Sequence, residues 1–240
     1  MQRYFSEIKN GEYFELKKDD IRHIKTVMRM KDNDNIEVVY NKNVYLCCLE
    51  NVKEIVKIKI KKELKIEGKN TPEITIIIPL LKENKLDLIL QKSTEMGIDK
   101  IILIPMERSI IRLEDKKVDK KIDRWNRICK EASEQSMRTT IPQIKLINSL
   151  KEVSNLDGLN LVCSTVEKKN NIKKELLSLK KNRNYDKINL LIGPEGGISP
   201  SEEEFLVSSG YKRVTLGNYI MRVETVPMFL MSIINYEFME

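Results

Sequence analysis

Two glycine-containing loops hold the candidate functional residues of this sequence. The first loop reads GPEGG at residues 193–197 and follows the apolar run 190–192, and the second begins with Gly217 after the apolar run 214–216. Short apolar runs bounded by glycine are typical of buried strands in sheets that are covered on both faces. Two such loops after two such strands indicate a ligand pocket, although the first also fits an ordinary link between a strand and a helix.

The composition of the first loop restricts the ligand. A phosphate-binding loop continues from its last glycine into lysine and then serine or threonine, whereas Gly197 is followed by Ile198 and the carboxylate of Glu195 would repel phosphate. The dinucleotide pattern Gly-x-Gly-x-x-Gly is absent from the loop as well. A carboxylate among glycines suits a ligand with a positive charge or N–H donors, such as a sulfonium, an amino group or the imide N–H of uracil.

A helix is predicted to begin directly after this loop. Ser199 can cap the helix, Pro200 suits the first helical position, and Glu202 stands three residues after the cap. This pattern is a capping box with proline in its favoured place. The free backbone N–H groups of residues 193–198 are therefore expected to face the end of the preceding strand.

Length and composition bound the class of protein. The chain has 240 residues, 41% of them apolar, and a net charge of +7, which allows one large or two modest domains. No run approaches the roughly 18 uncharged apolar residues of a membrane span, and the start of the chain does not resemble a signal peptide, so we expect a cytoplasmic protein. Lysine is frequent throughout, so arginines at particular positions are the better indication of nucleic-acid binding.

The cysteines do not indicate a metal site. Cys47, Cys48, Cys129 and Cys163 form no Cys-x-x-Cys pair, and His23 is the single histidine. These residues offer no credible zinc-binding set, so no metal is expected. We expect all four cysteines to be reduced and structural.

Residues 1–70 are predicted to form a small β-barrel. Three segments, at 36–40, 44–49 and 55–60, have the short apolar pattern of strands, and several short strands at this spacing favour a barrel. The polar stretch 63–71 is expected to be the linker to the rest of the chain.

One segment of this region, residues 19–30, has helical spacing instead. Its apolar face would hold Ile21, Ile24, Val27 and Met28, and its basic residues are Arg22, Lys25 and Arg29. The basic residues fit either a solvated helix face or a ridge that binds RNA phosphates together with Arg3.

From residue 73 onwards, predicted strands alternate with predicted helices. The strands lie at 74–80, 101–105, 159–163, 190–192 and 214–216, and the helices at 86–96, 119–136, 171–179 and 228–239, with a charged turn at 180–186. This alternation predicts an α/β domain with a mainly parallel sheet covered on both faces.

At this point several motifs, in order along nearly the whole chain, resemble the RsmE family of 16S rRNA uridine methyltransferases. The motifs are MQRYF at 1–5, His23-x-x-x-Val27-Met28-Arg29, Lys82, QKxTExG at 91–97, Arg124-Trp125, EAxEQxxRxxIP at 131–142, IGPEGGIS at 192–199 and LGNYIMRVET at 216–225. The sequence departs from the usual pattern at Met221, Val223 and Val226, and these small changes should reshape a pocket only slightly.

The resemblance implies an α/β protein of two domains. Residues 1–70 would be a PUA-like RNA-binding β-barrel, and residues 71–240 a SPOUT methyltransferase domain that binds the cofactor, dimerises and threads a carboxy-terminal trefoil knot. It also implies a homodimer that uses S-adenosylmethionine to methylate N3 of one uridine in 16S rRNA, within the small ribosomal subunit. A methyltransferase of the same fold for another RNA, and a non-catalytic ribosome-assembly factor, remain alternatives.

The resemblance also implies the site residues. The cofactor would be held by Thr165, Ile192, Gly193, Pro194, Glu195, Gly196, Gly197, Leu216, Gly217, Ile220, Met221, Thr225 and Val226. Uracil N3 carries a proton at neutral pH, so we expect Glu195 or Glu224 to orient or accept it, and Arg138 and Arg222 to stabilise the developing negative charge. The expected RNA contacts are Arg3, Arg22, Arg29, Lys82, Arg108, Arg112 and Gln135.

Overall fold

The computed structural model describes residues 1–66, 71–111, 118–182 and 185–239. The chain divides into two compact units. One unit consists of Met1–Lys69 and Lys130–Ile141, and the other of Asn70–Cys129 and Pro142–Glu240. The predicted boundary near residue 70 separates most of the two units, but residues 130–141 belong to the first.

The first unit is built mainly from one sheet. Its elements are β1 Gln2–Phe5, β2 Ile8–Asn10, β3 Tyr13–Glu15, α1 Lys18–Arg22, β4 Asn35–Tyr40, β5 Asn43–Glu50 and β6 Lys57–Leu64. Among the described residues the strand order is β1-β4-β5-β6-β3-β2, and β1 pairs with β4 in parallel while the other pairs are antiparallel. Alternate residues of these strands, such as Tyr4, Ile36, Val38 and Ile58, are buried and form the core of this unit.

The second unit is a parallel α/β structure. Its strands are β7 Glu73–Pro79, β8 Lys100–Ile104, β9 Gln143–Leu146, β10 Leu159–Cys163, β11 Lys187–Leu191 and β12 Lys212–Val214, and its helices are α2 Glu83–Glu95, α3 Val118–Gln135, α4 Ile172–Asn182, α5 Pro200–Ser208 and α6 Thr225–Phe238. The last residues of α3 belong to the first unit. In the described ranges the strand order is β12-β10-β11-β7-β8-β9, and every pair is parallel.

The continuous apolar runs of the second unit are buried strands, as predicted. Residues 76–78 of β7 and residues 101–104 of β8 are almost completely buried, and so are Leu190 and Leu191 in β11. Strands that are buried on both faces need apolar side chains at consecutive positions, which is why these runs do not alternate. The parallel sheet predicted from the sequence is confirmed.

The predicted helix at residues 19–30 is partly wrong. Helix α1 ends at Arg22 and continues as a π-helical turn, His23–Val27, and Arg29 adopts a positive φ of 50°. A π-turn has more residues per turn than an α-helix, so it changes which side chains share a face. Ile24 is buried as predicted, but Val27 and Met28 are 65% and 37% exposed.

Several short elements were not predicted, and some boundaries differ from the prediction, including that of β12, which ends at Val214 where a strand was predicted at 214–216. Strands β1, β2 and β3 are short, and β9 is a four-residue edge strand with a half-buried, alternating pattern that lacks an apolar run. Strand β6 begins at Lys57 rather than at Ile55, which is exposed, and it extends to Leu64 into the predicted linker. Helix α4 likewise continues to Asn182 into the predicted turn. Over the described part of the chain, no helix is both long enough and apolar enough to cross a membrane.

Candidate active site

The second unit contains a cavity of about 820 Å³ at the carboxy-terminal ends of three neighbouring strands. Three segments supply most of its lining: residues 163–168 after β10, residues 192–198 after β11, and residues 215–223 after β12. In open parallel sheets, ligands bind outside the carboxyl ends of the strands. The structure therefore brings the two glycine loops of the sequence analysis to one cavity.

The first loop has a local fold that its glycines permit. Gly197 has a positive φ of 74°, and its N–H donates to the carbonyl of Pro194 over 2.8 Å. A Cβ on Gly193 would lie 2.5 Å from Cγ1 of Ile198, so any larger residue there would push the loop open. Glycine at residue 193 is thus required by the packing of the loop on itself.

The capping box after this loop is confirmed. The Ser199 hydroxyl accepts a hydrogen bond from the backbone N–H of Glu202, and the Glu202 carboxylate accepts one from the backbone N–H of Ser199 over 3.1 Å. These bonds satisfy two donors that the start of α5 would otherwise leave without partners. Helix α5 therefore fixes the point at which the loop ends.

The second loop presents unpaired backbone to the cavity. Gly217 has a positive φ of 122°, which suits glycine, and Thr215 Oγ1 lies 3.3 Å from the Gly217 N–H. Within the described parts of the chain, the backbone N–H and C=O groups of residues 219–221 have no hydrogen-bond partner. The Ile220 side chain beside them is 86% exposed. Unpaired donors and acceptors next to exposed apolar surface are suited to a flat, partly polar ligand such as a purine base.

A lysine lies between two carboxylates at this cavity. The ammonium of Lys85 donates a hydrogen bond to Glu195, and its Nζ lies 3.3 Å from Oε2 of Glu224. The hydrogen bond to Glu195 raises the pKa of Lys85. The backbone N–H of Glu224 itself, and then Lys85 and Arg222, hold the pKa of the Glu224 carboxyl below its ordinary value. Both the lysine and Glu224 are therefore charged at neutral pH.

The predicted cofactor-binding residues lie together. The cavity lining formed by the described residues includes Thr165, Ile192, Gly193, Pro194, Glu195, Gly196, Gly197, Leu216, Gly217, Ile220, Met221 and Val226. Thr225, the first residue of α6, does not belong to this lining. The structure thus places nearly all of the predicted cofactor-binding residues around one cavity.

The four predicted catalytic residues lie in two different places. Glu195 and Arg222 line the cavity, and Glu224 is paired there with Lys85. Arg138 belongs to the first unit, where its Nε donates to the carbonyl of Thr140 over 3.1 Å.

The predicted RNA-binding residues are more scattered. Arg3 is 5% exposed, its Nε donates to Glu37 over 2.9 Å, and its guanidinium also bonds the carbonyl of Met137. This arginine is therefore part of the interior of the first unit. Arg108 lines the cavity and donates to the carbonyl of Gly196 over 3.2 Å.

The other predicted RNA contacts are at the surface or at element ends. Arg22, Arg29 and Gln135 are exposed in the first unit, and Lys82 immediately precedes α2. Arg112 lies outside the described residues.

Several residues that line the cavity were not predicted, and Lys85 and Cys163 are the two with distinctive chemistry. Lys85 lies in the first turn of α2, and a cation is unfavourable near a helix amino terminus, which is the one weak signal that could have marked it. Cys163 was predicted to be structural, yet it lines the cavity. Burial raises the pKa of its thiol to about 12. The thiol is therefore protonated at neutral pH and forms part of the cavity wall rather than acting as a nucleophile. All four cysteines are reduced thiols.

Comparison with known proteins identifies the family of the chain. A family profile described as an RNA methyltransferase domain matches residues 68–235, and one described as an RNA methyltransferase PUA domain matches residues 16–61. The chain is 30% identical to the ribosomal RNA small subunit methyltransferase E of Bacillus subtilis, over 99% of this chain and 97% of that protein. The chain belongs to the ribosomal RNA small subunit methyltransferase E family. The resemblance seen in the sequence motifs is therefore confirmed.

Other members of the family match over similar lengths. The enzyme of the same name from Mesomycoplasma hyopneumoniae is 30% identical over 97% of this chain and 98% of its own. The crystal structure of the enzyme from Neisseria gonorrhoeae, bound to S-adenosyl methionine, superposes with a TM-score of 0.84 at 25% identity, covering 98% of this chain and 97% of that one. The described fold is thus that of methyltransferase E family members along nearly its whole length.

Proposed function

We propose that the protein transfers a methyl group from S-adenosylmethionine to N3 of a uridine in the 16S rRNA of the small ribosomal subunit. The proposal extends family membership to a particular reaction. The observation that carries it is the cavity itself, which combines unpaired backbone groups, apolar walls and a pair of carboxylates held by one lysine.

The cavity fits the proposed cofactor. Its volume of about 820 Å³ is within the usual range for small-molecule sites. The unpaired backbone groups of residues 219–221 offer the donors and acceptors that the edge of an adenine needs, and Ile192, Leu216 and Val226 provide apolar surface for its faces. The carboxylate of Glu195 complements a positively charged ligand. We therefore assign the cofactor to the predicted set of residues that line this cavity.

The proposed reaction needs a base for the uracil imide. When bound, S-adenosylmethionine would supply an electrophilic methyl group attached to its sulfonium sulfur. Transfer breaks the bond between sulfur and methyl and leaves the sulfur as a neutral thioether. The N3–H proton of uracil must depart as the N3–CH₃ bond forms, and Glu195 or Glu224 accepts it. Arg222, which lines the same cavity, stabilises the negative charge that develops on a uracil oxygen. Arg138 remains a second candidate for that role.

The substrate must present an unpaired base. N3 lies on the Watson–Crick edge, so it can be methylated only when the base is splayed out of any duplex. We assign phosphate and base contacts to the exposed Arg22, Arg29 and Gln135 and to Lys82, Arg108 and Arg112. Arg3 would act indirectly, because its guanidinium is engaged with Glu37.

The finer architecture belongs to the same proposal. Family membership supports a closed PUA-like barrel at residues 1–70 that binds RNA, and a dimeric SPOUT domain at residues 71–240 with a carboxy-terminal trefoil knot. It also supports a substrate that is the assembled small subunit, and with it a cytoplasmic location.

The test is incorporation of labelled methyl groups from S-adenosylmethionine into unmodified small subunits and, separately, into their naked rRNA. Primer extension then locates the product, because N3-methyluridine cannot pair. We expect label on subunits with one stop at a uridine. Label without such a stop, or label on another RNA alone, would contradict the assignment of N3 or of the substrate. Failure to bind the cofactor, measured by calorimetry, would favour a non-catalytic assembly factor.

A further inference from the structure

Lys85 joins the two loops that line the cavity. Glu195 belongs to the loop after β11, and Glu224 lies at the end of the loop after β12, directly before α6. The ammonium of Lys85 bonds the first carboxylate and lies 3.3 Å from the second. A side chain from a third element, α2, therefore connects two segments that are otherwise independent in sequence.

Helix stability does not explain a lysine at this position. Lys85 lies in the first turn of α2, where the helix dipole disfavours a cation. In the described structure Lys82, the residue before the helix, makes no side-chain cap that would offset this cost. The two carboxylates provide the compensation, so the position of Lys85 is explained by the cavity and not by the helix.

The surroundings of the two carboxylates leave this role to Lys85. Arg222 also acts electrostatically on Glu224, but among the described ion pairs that include either carboxylate, the cation is Lys85. Arg108 donates to the backbone of Gly196 and not to the adjacent Glu195 side chain. A single ammonium group thus contacts both candidate proton acceptors.

We infer that Lys85 is a positioning residue that fixes the orientation of Glu195 and Glu224 and holds the two cavity loops together. Its catalytic consequence depends on the proposed function, whereas its effect on the carboxylates does not. Without Lys85, the carboxylates would repel each other and the loops would lose their shared contact. Geometry errors of this kind are costly, since a displacement of about 1 Å can reduce a rate about 100-fold.

The first experiment measures the carboxylate directly. Carboxyl ¹³C resonances are followed as a function of pH in the wild type and in Lys85→Met, with Glu224 assigned by comparison with Glu224→Gln. Because Lys85 stabilises the ionised form, we expect the titration midpoint of Glu224 to move to higher pH in Lys85→Met. Lys92→Met is the matched control, since it removes a lysine from the same helix that pairs with Glu95 instead. An unchanged Glu224 midpoint in Lys85→Met would overturn the inference.

The second experiment measures methyl transfer with the same variants. We expect Lys85→Met to lower kcat about 100-fold and to shift the acidic limb of the pH profile to higher pH. Lys85→Arg should restore much of the rate, because it keeps the cation. A uniform loss at every pH that arginine does not rescue would contradict a positioning role.

The two experiments separate the inference from the proposed function. If the wild type methylates no rRNA while the Glu224 midpoint still depends on Lys85, the proposed function fails and the positioning role of Lys85 stands. If the wild type is active and Lys85→Met has a normal rate, pH profile and Glu224 midpoint, the inference fails and the function stands.

Discussion

Each unit of the molecule contains a lysine between two carboxylates, and the two clusters differ in burial. In the first unit, Lys130 bonds Asp20 and lies 2.8 Å from Oε1 of Glu134. The side chains of Lys130, Asp20 and Glu134 are 17%, 7% and 13% exposed. We call this set the buried cluster.

The cavity cluster also has one lysine and two carboxylates but a more open setting. Lys85, Glu195 and Glu224 are 26%, 35% and 15% exposed, and Lys85 and Glu195 line the cavity. Charges that reach a cavity can meet a ligand, whereas charges enclosed by protein can only serve the fold. The same three charges are therefore accessible to a ligand in one place and serve the structure in the other.

The pKa values follow the same division. Burial raises the pKa of Glu134 above its ordinary value in spite of Lys130. Burial alone would lower the pKa of Lys130, but the hydrogen bonds that its ammonium donates to Asp20 and Glu134 raise it. In the cavity cluster the pKa of Glu224 is lowered instead, first by its own backbone N–H. Desolvation dominates for the carboxylate inside the first unit, and hydrogen bonding dominates for the one at the cavity.

The largest expected effect is the loss of stability on replacing Lys130 by methionine. This change leaves two buried carboxylates without their cation, which typically costs about 3–5 kcal/mol. Chemical denaturation at pH 7 would measure the free energy of unfolding.

The pH dependence of this loss has a definite sign. Lowering the pH protonates the unpaired carboxylates, so the difference from the wild type should shrink as the pH falls. In the wild type, the raised pKa of Glu134 means that its contribution is complete below its ordinary pKa and is lost as the pH rises through the folded-state value. Glu134→Gln is the control, and it should cost less and flatten this dependence. A difference that grows with acidity would contradict the buried-cluster interpretation.

The second effect is on activity, in the cavity cluster. Glu195→Gln or Glu224→Gln should lower kcat about 100-fold at whichever residue accepts the imide proton. Both variants should lose less stability than Lys130→Met, because neither leaves buried carboxylates without their cation. The measurement is single-turnover methyl transfer at saturating RNA and cofactor, beside denaturation curves. Wild-type turnover in both variants would show that neither carboxylate takes part in the reaction. The cavity cluster would then be structural, like the buried cluster.

A smaller effect is expected from the helix start that ends the Glu195 loop. Ser199→Ala removes the cap of α5 and should cost about 1 kcal/mol of stability, with weaker cofactor binding by calorimetry because the loop loses its fixed end. Ser149→Ala is the matched control, since Ser149 caps the 3-10 turn Leu150–Val153. Equal cofactor affinity in the two variants would show that α5 does not organise the loop.

The smallest effect sets the baseline for both clusters. Lys92→Met breaks an exposed pair with Glu95 one turn away on α2, and such pairs contribute only about 0.2–0.5 kcal/mol. Thermal unfolding should therefore barely change. A loss comparable with that of Lys130→Met would mean that burial does not distinguish the lysines of this protein.

Local signals in the sequence identified much of the candidate site. Glycines at 193, 197 and 217 and the cap at Ser199 act within a few residues of themselves, so their meaning can be read from neighbouring positions. The long apolar runs of the second unit could also be predicted from local sequence, because strands buried on both faces have apolar residues at consecutive positions. These features placed the first loop after the buried strand β11, whereas the second loop follows β12, a short edge strand in which Val214 is the buried residue.

Other features could not be read from local pattern. The segment after α1 has helical spacing, but its π-turn exposes Val27 and Met28, and the pattern does not encode that change of phase. Strand β9 was not predicted, because an edge strand buries little apolar surface and so lacks a continuous apolar run. Arg3 carries the same charge as a surface arginine, and only its partner Glu37 shows that it belongs to the interior.

The amino-acid sequence was sufficient to establish the family, the parallel sheet, the two glycine loops and many of the residues around the cavity. Which charges meet depends on the tertiary structure. Lys85 is 110 residues from Glu195 in sequence, and Lys130 is 110 residues from Asp20. Ion pairs depend on distance and burial in three dimensions, and no local propensity records either. The sequence therefore supplied the parts of the site, and the fold selected the lysine that holds its carboxylates.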